Sequence, residues 1–166
     1  MSARGAALAA RVRAEVADLG ALVARVERLQ KKAAERQDPD YYDGVALNLH
    51  GFYVGVERLL QMVVRDLDDA VPEGAEWHRE LLAQCSAELN GVRPAVIARA
   101  TRAALDEYRA FRHVVRNVYA FSLRPDRLAS LAAGLRPCYE MLAADLATFA
   151  QFLEALTSSP RPRPQG

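Results

Sequence analysis

The sequence has few cysteines and no long apolar run, and both shortages narrow the class of protein. Its 166 residues include two cysteines, Cys85 and Cys138, far apart and without a second thiol at the spacing of a zinc site. We expect both to be reduced and buried, because a disulfide framework needs more cysteines in closer patterns. No apolar stretch is long enough to cross a membrane, and residues 1–10 lack the apolar core of a signal peptide. A soluble, cytoplasmic protein is therefore expected.

The motifs of the common enzyme classes are also missing. There is no glycine-rich phosphate loop, no His-Glu-x-x-His motif and no serine within Gly-x-Ser-x-Gly. His78-x-Glu80 with Pro137-Cys138 matches half of a zinc deaminase signature, but Met141 stands where the second cysteine is required. The sequence therefore predicts neither a metal site nor a cofactor.

Lysine is scarce, and charge is unevenly distributed along the chain. Twenty of the twenty-two basic side chains are arginine. The formal net charge of +1 conceals blocks of +4 over residues 1–37, −7 over 38–98, +4 over 99–127 and zero over 128–166. Such blocks favour separate acidic and basic faces, and the planar guanidinium group suits bidentate contacts to phosphate.

Apolar residues recur at steps of three and four along most of the chain, which is typical of amphipathic helices. The predicted helices cover about 2–37, 43–67, 77–89, 94–121 and 125–156. We expect Asp43 to cap the second helix, Gly91 to close the third and Pro137 to kink the fifth. No segment alternates apolar and polar residues long enough to form a strand. The predicted class is all-α, an elongated up-and-down bundle of five helices over residues 1–156.

Residues 157–166 have a different composition from the rest of the chain. They include three prolines and no large apolar residue. Such a segment cannot bury enough apolar surface to offset the entropy of ordering, so we predict a disordered C-terminal tail.

The segment from Tyr108 to Tyr119 places cations beside an apolar stripe. On a regular helix Phe111 and Val115 share the apolar face, and a basic strip lies next to it. This basic strip consists of Arg109, Arg112, Arg116 and Tyr119. Its guanidinium groups could hold RNA phosphates while the tyrosine stacks or hydrogen-bonds. In the structural alternative, Asp106, Glu107 and acids of the second helix neutralise the arginines across a helix interface.

Three stretches in order, 49–58, 77–82 and 111–119, resemble the HepT-like branch of the HEPN superfamily. The resemblance covers roughly residues 1–156. It implies an α-helical bundle that forms homodimers. In many members it also implies a metal-independent ribonuclease toxin, encoded beside a minimal nucleotidyltransferase (MNT-type) antitoxin. The hallmark of the family is an arginine, then four to six residues, then a histidine, with a tyrosine two residues later.

Transferred residue by residue, Arg112 matches the motif arginine, Tyr119 matches the tyrosine and Asn117 stands at the histidine position. By the resemblance, the arginine holds the scissile phosphate and the histidine moves a proton as the RNA 2′-hydroxyl attacks. Asparagine cannot titrate, so His113 is the imidazole expected to replace it. The resemblance also makes Tyr119 the residue that the antitoxin modifies by AMPylation. The predicted catalytic residues are Arg112, His113, Asn117 and Tyr119, with Arg109, Arg112 and Arg116 as RNA phosphate ligands.

The spacing of the motif favours a two-chain site. Arg112 and Asn117 are separated by about 140° around a helix, so one chain does not easily direct both at one phosphate. A homodimer through the second and fourth helices would place two copies across a shared cleft. His50 and Glu57 could face that cleft as supporting residues. In the structural alternative His50 is half-buried and Glu57 pairs with an arginine such as Arg112 or Arg116.

The sequence is therefore compatible with two functions. The first is a HepT-like toxin of the metal-independent endoribonuclease lineage, regulated by a nucleotidyltransferase. The second is a catalytically degenerate HEPN dimer that binds RNA or a protein without cutting.

Overall fold

The computed structural model describes residues 2–117 and 123–158. Within these residues the chain forms five helices. They are α1 Ser2–Arg36, α2 Asp40–Leu67, α3 Trp77–Cys85, α4 Arg99–Asn117 and α5 Pro125–Ser158. The predicted all-α class and five-helix bundle are confirmed. α5 includes residues 157 and 158, so the predicted start of the tail at 157 is wrong; residues 159–166 lie outside the described residues.

The four long helices pack as antiparallel neighbours around one core. Ion pairs join Arg13 of α1 to Glu154 of α5, and Glu27 of α1 to Arg136 of α5, so these two helices run in opposite directions. α1 also packs extensively against α2, and α4 packs against both α2 and α5. The short α3 packs on α2 and α4. The up-and-down arrangement follows from the apolar stripe that each helix turns inward.

Small residues allow α1 to approach its neighbours closely. A Cβ atom added at Gly20 would lie 2.5 Å from the Tyr139 hydroxyl oxygen of α5, and that hydroxyl donates to the Val16 carbonyl at 3.1 Å. On the other side of α1, a Cβ at Gly55 would lie 2.8 Å from Leu19. Both glycines therefore set the distance between helices, since any larger side chain requires a neighbour to move.

α2 begins at Asp40, three residues before the predicted start. Pro39 occupies the N-cap position with φ −64°, a value already suited to a helix. The Asp40 amide donates to the Asp38 carboxylate at 3.0 Å. The prediction that Asp43 caps this helix is wrong, because Asp43 lies within the first turn. Its charge there is favourable toward the positive end of the helix dipole.

α3 ends at Cys85 and is shorter than predicted. The Cys85 carbonyl accepts the amides of Val96 at 2.8 Å and Ile97 at 3.2 Å, so a distant segment replaces the next helical turn. Gly91 has the predicted left-handed conformation, with φ 75°, but it lies in the turn that follows Leu89 and not at the helix end. The predicted extension of α3 to Leu89 is therefore wrong.

α4 begins at Arg99, five residues after the predicted start at Pro94. Asp145 of α5 accepts the Ala98 amide at 2.8 Å and the Thr101 hydroxyl at 2.6 Å. The N-terminus of α4 is therefore capped by a carboxylate from another helix, which satisfies an amide that has no intrahelical partner.

A buried ion pair links the segment between α3 and α4 to the C-terminal end of α2. Arg93 donates through Nε and Nη2 to the two carboxylate oxygens of Asp68, each at 2.7 Å, and the two side chains are 0% and 2% exposed. Arg93 Nη1 also donates to the carbonyls of Ala87 and Pro94, both at 3.1 Å. Gln84 Nε2 donates to the same carboxylate at 2.6 Å. The pair is buried with its hydrogen bonds made, which is the condition under which buried charges are tolerated.

α5 and the two thiols were also predicted from the sequence. α5 continues through Pro137, which lies inside the helix. Both cysteines are free and buried, as predicted. Among the described residues, none of the helices is apolar over a length that would span a bilayer.

Candidate functional site

A cleft of about 420 Å³ lies between α4 and the segment that begins α3. α4 contributes Arg109, Arg112, His113 and Arg116, and the α3 side contributes Glu76, His78 and Arg79. Four guanidinium groups and one carboxylate therefore line the cleft. This balance of charge gives a positive potential that suits an anionic ligand.

The packing of α4 explains why its arginines line this cleft. Leu105, Tyr108 and Phe111 are buried in the core, and the Tyr108 hydroxyl donates to the Leu131 carbonyl at 2.8 Å. The arginines follow at steps of three and four on the adjacent face, as the sequence predicted for the basic strip. The structure therefore brings Arg109, Arg112, His113 and Arg116 together on one wall.

Arg112 is held by two residues from other helices. Its Nη1 lies 3.1 Å from His78 Nε2, and its Nε lies 3.4 Å from a carboxylate oxygen of Glu57. The other carboxylate oxygen of Glu57 lies 2.5 Å from His78 Nδ1. A guanidinium group can only donate, so Nε2 of a neutral His78 is the acceptor and Nδ1 carries the proton given to Glu57. The ion pair between Glu57 and Arg112 that the structural alternative predicted is present.

Glu57 lies behind the cleft wall, and its surroundings change the pKa of its carboxyl group. The side chain is only 6% exposed, and this burial raises the pKa of the Glu57 carboxyl, although the charge of Arg112 and the hydrogen bond from His78 oppose the rise. The neighbouring Tyr53 hydroxyl is buried and finds no hydrogen-bond partner within the described residues. Burial, together with the Glu57 charge, raises the pKa of Tyr53 well above its usual range.

The remaining arginines of the cleft differ in their partners. Arg109 donates to Asp106 at 2.6 Å, which raises the pKa of Arg109 and lowers the pKa of Asp106. Arg79 pairs with Glu76 at 2.9 Å. Arg116 and His113 are exposed at the cleft. Acids therefore neutralise part of the basic strip, as the structural alternative proposed, while the cleft keeps an excess of cations.

His50 lies on α2 near the same arginines but does not line the cleft. It is half-buried, and its Nδ1 atom has no hydrogen-bond partner in the described part of the chain. Burial lowers the pKa of His50, and the positive charges of Arg112 and Arg116 lower it further. This placement agrees with the half-buried alternative. Of the other predicted residues, Asn117 is the last residue of α4 and Tyr119 lies outside the described residues.

His78 is the residue that reasoning from the sequence missed as part of the site. It was noted only within the incomplete zinc signature and within the stretch 77–82. Its partners are 21 and 34 residues away along the chain, so no local pattern joins them. Across residues 2–117 and 123–158, no group of three or more His, Cys, Asp and Glu side chains could hold a metal ion.

Comparison with known proteins agrees with this architecture. The fold and the site define an all-α helical bundle with an arginine- and histidine-lined cleft. A profile of the family described as HepT-like protein matches residues 44–153, which include both walls of the cleft. The chain belongs to this HepT-like family, and the resemblance noted in the sequence is confirmed. Curated proteins and solved structures give no significant match.

Proposed function

We propose that this chain is a HepT-like toxin that cleaves RNA without a metal ion and is regulated by a nucleotidyltransferase antitoxin. The observation that carries the proposal is the cleft, where Arg112 lies among further arginines and beside two imidazoles. Membership of the HepT-like family supports the HEPN-type toxin lineage in general.

The chemistry needs only groups that line the cleft. Arg109, Arg112 and Arg116 bind the phosphate backbone, and their charge stabilises the negative charge that develops on phosphorus oxygens in the transition state. His113 is exposed beside them and supplies an imidazole for proton transfer. Attack by the 2′-hydroxyl then leaves a 2′,3′-cyclic phosphate and a 5′-hydroxyl.

A homodimer through α2 and α4 remains part of the proposal. Large apolar side chains are exposed on these two helices, with Leu47 69% and Val54 39% exposed on α2 and Val114 44% exposed on α4. Exposed apolar side chains on neighbouring helices favour an interface, and a two-fold axis between them would bring two clefts into one assembly. A monomer in light scattering at micromolar concentration would refute this part.

We propose that regulation acts on Tyr119, two residues after the last residue of α4 in the sequence. By the family resemblance, AMPylation of Tyr119 would place a phosphate close in sequence to Arg112 and Arg116. That phosphate would compete with RNA for the same guanidinium groups, so inhibition would need no refolding. If a minimal nucleotidyltransferase is encoded beside this chain, mass spectrometry of the co-expressed pair should find AMP on Tyr119, and AMP on another residue or on none would refute the transfer.

The decisive test compares two arginine variants in one assay. Purified wild type should cleave RNA in the presence of EDTA and leave a cyclic phosphate end. Arg112→Ala should abolish cleavage and growth arrest. Arg136→Ala, which removes an exposed arginine of α5 outside the cleft, is the matched control and should leave both unchanged. Equal activity in the two variants would contradict the proposal.

A second candidate is a non-catalytic module that binds RNA or a protein partner. The observations that favour it are Asn117 at the position of the motif histidine, and the engagement of Arg112 by Glu57 and His78. In that case wild type would bind RNA without cleaving it, and Arg112→Ala would weaken binding only. Asn117→His should raise cleavage if the chain keeps the family geometry, and should change nothing in a module.

A further inference from the structure

His78 has the surroundings of an acid–base group. It lines the cleft, its side chain is 20% exposed, and one ring nitrogen faces the buried carboxylate of Glu57 while the other faces Arg112. We propose that His78 takes the proton from the RNA 2′-hydroxyl and that Glu57 is its positioning residue. This assignment rests on the proposed ribonuclease function and names a residue outside the family motif.

The carboxylate–imidazole pair sets the direction of proton transfer. Because Nδ1 donates to Glu57 at 2.5 Å, Nε2 keeps its lone pair, and this lone pair faces Arg112, a residue that lines the cleft. A proton gained at Nε2 creates an imidazolium whose charge the Glu57 carboxylate stabilises. A buried carboxylate that orients an imidazole in this way serves general base catalysis, because it fixes both the tautomer and the ring angle.

Arg112 connects phosphate binding to this base. Its Nη1 lies 3.1 Å from His78 Nε2, so the atom that must accept the proton already accepts a hydrogen bond from the guanidinium. A phosphate in the cleft competes for the same donor, and a charged acceptor forms the stronger hydrogen bond. We therefore expect RNA binding to draw Arg112 toward the phosphate and to leave Nε2 available to the 2′-hydroxyl.

The proposed step balances with two imidazoles. His78 Nε2 receives the 2′-hydroxyl proton as the bond from O2′ to phosphorus forms. The bond from phosphorus to O5′ breaks, and protonated His113 gives its proton to O5′. The products are the cyclic phosphate and the 5′-hydroxyl, and the two histidines have exchanged protonation states. His78 then releases its proton to solvent and His113 takes one up from solvent, so the two histidines return to their starting states and no further reactant is required.

Several charged groups surround His78 and contribute to the pH dependence of the site. They are His50, Tyr53 and Glu57 on α2, Arg109, Arg112, His113 and Arg116 on α4, and Glu76 and Arg79 beside it in the chain. An assay that follows activity alone cannot separate these groups, so a direct probe of the His78 ring is needed.

The structure supplies that probe in Trp77, the one tryptophan of the sequence. Its ring stacks on His78 with centroids 3.6 Å apart and planes inclined by 35°. A protonated imidazole in contact with an indole quenches its fluorescence more strongly than a neutral one. Trp77 emission should therefore follow the protonation of His78 in the folded protein.

The experiment measures single-turnover RNA cleavage and Trp77 emission across pH for wild type, His78→Asn, His78→Ala and Glu57→Gln. His78→Asn keeps an amide donor for Glu57 but cannot titrate, so we expect kcat/KM to fall about 10²- to 10⁴-fold. The low-pH limb of the rate profile should coincide with the emission change in wild type, and both should disappear in His78→Asn. Added imidazole should restore part of the activity of His78→Ala. Glu57→Gln, which keeps a hydrogen-bond acceptor, should lose less than His78→Asn.

The outcomes separate the two hypotheses. If wild type cleaves RNA and His78→Asn cleaves equally well, the assignment of His78 is wrong and the proposed function stands. If wild type does not cleave RNA above Arg112→Ala, the proposed function fails and the assignment fails with it. If His78→Asn loses activity but its residual rate keeps the low-pH limb, and imidazole does not rescue His78→Ala, then His78 has a structural role only and the proposal is overturned.

Discussion

Removal of the Arg93 guanidinium should destabilise the protein far more than removal of an exposed arginine with the same pairing geometry. Arg93→Ala leaves the Asp68 carboxylate 2% exposed, with Gln84 as its remaining side-chain donor. Breaking a buried ion pair by deleting one partner costs about 3–5 kcal/mol, because the other charge stays desolvated. For a chain of this length each kcal/mol corresponds to about 2–4 °C, so Tm should fall by about 6–20 °C.

The control for this prediction is Arg136→Ala. Arg136 also forms a bidentate pair, with Glu27 at 2.9 and 2.7 Å, but the two side chains are 39% and 45% exposed. Water can replace the lost partner there, so Tm should remain within the scatter of repeat measurements. Thermal melts and urea unfolding followed by circular dichroism give both numbers. Similar Tm values for the two variants would refute the argument that burial, and not pairing geometry, determines the loss.

Three further predictions follow from burial and close contact. The pKa of His50 should lie below its ordinary value of 6.5 and should rise in Arg116→Gln, as measured by NMR titration. Because the folded-state pKa is lowered, this histidine contributes stability above pH 6.5 that is lost as pH falls through the folded pKa, and His50→Gln should flatten that dependence in urea unfolding. Burial raises the pKa of Cys85 and Cys138 to about 12, so a thiol reagent at pH 8 should label both only after denaturation; labelling of the native chain would contradict the structure. Gly20→Ala should lower stability by about 1–3 kcal/mol through overpacking against α5, and an unchanged Tm would show that the helices can separate freely.

The helices could be predicted because each carries its own apolar stripe, a property of residues three and four apart. Their ends could be predicted only where the stopping signal is local. The start of α4 depends on Asp145, and the end of α3 depends on the amide of Val96. Both groups approach from elsewhere in the fold. The sequence of α3 or α4 alone does not indicate those partners.

The candidate site divides in the same way. The basic strip of α4 was predictable, since Arg109, Arg112 and Arg116 share a face by helical geometry alone. The contact of Arg112 with His78 and Glu57 joins three helices and depends on how α3 is seated. Side-chain type and spacing suggested a partner for Arg112 on α2, but they could not indicate that an imidazole from α3 would contact both residues.

α3 has a consequence for how ligand binding would be detected. A helix of nine residues is too short to be stable by itself, so its structure depends on the Asp68–Arg93 pair and on the Cys85 carbonyl at its end. Any ligand that contacts His78 or Arg79 binds only while α3 is folded, and by mass action it must shift the local opening equilibrium toward the closed state. Amide hydrogen exchange over residues 77–85 would therefore slow in proportion to ligand occupancy. Exchange in α3 would detect ligands of the cleft, although α3 does not carry the arginine motif.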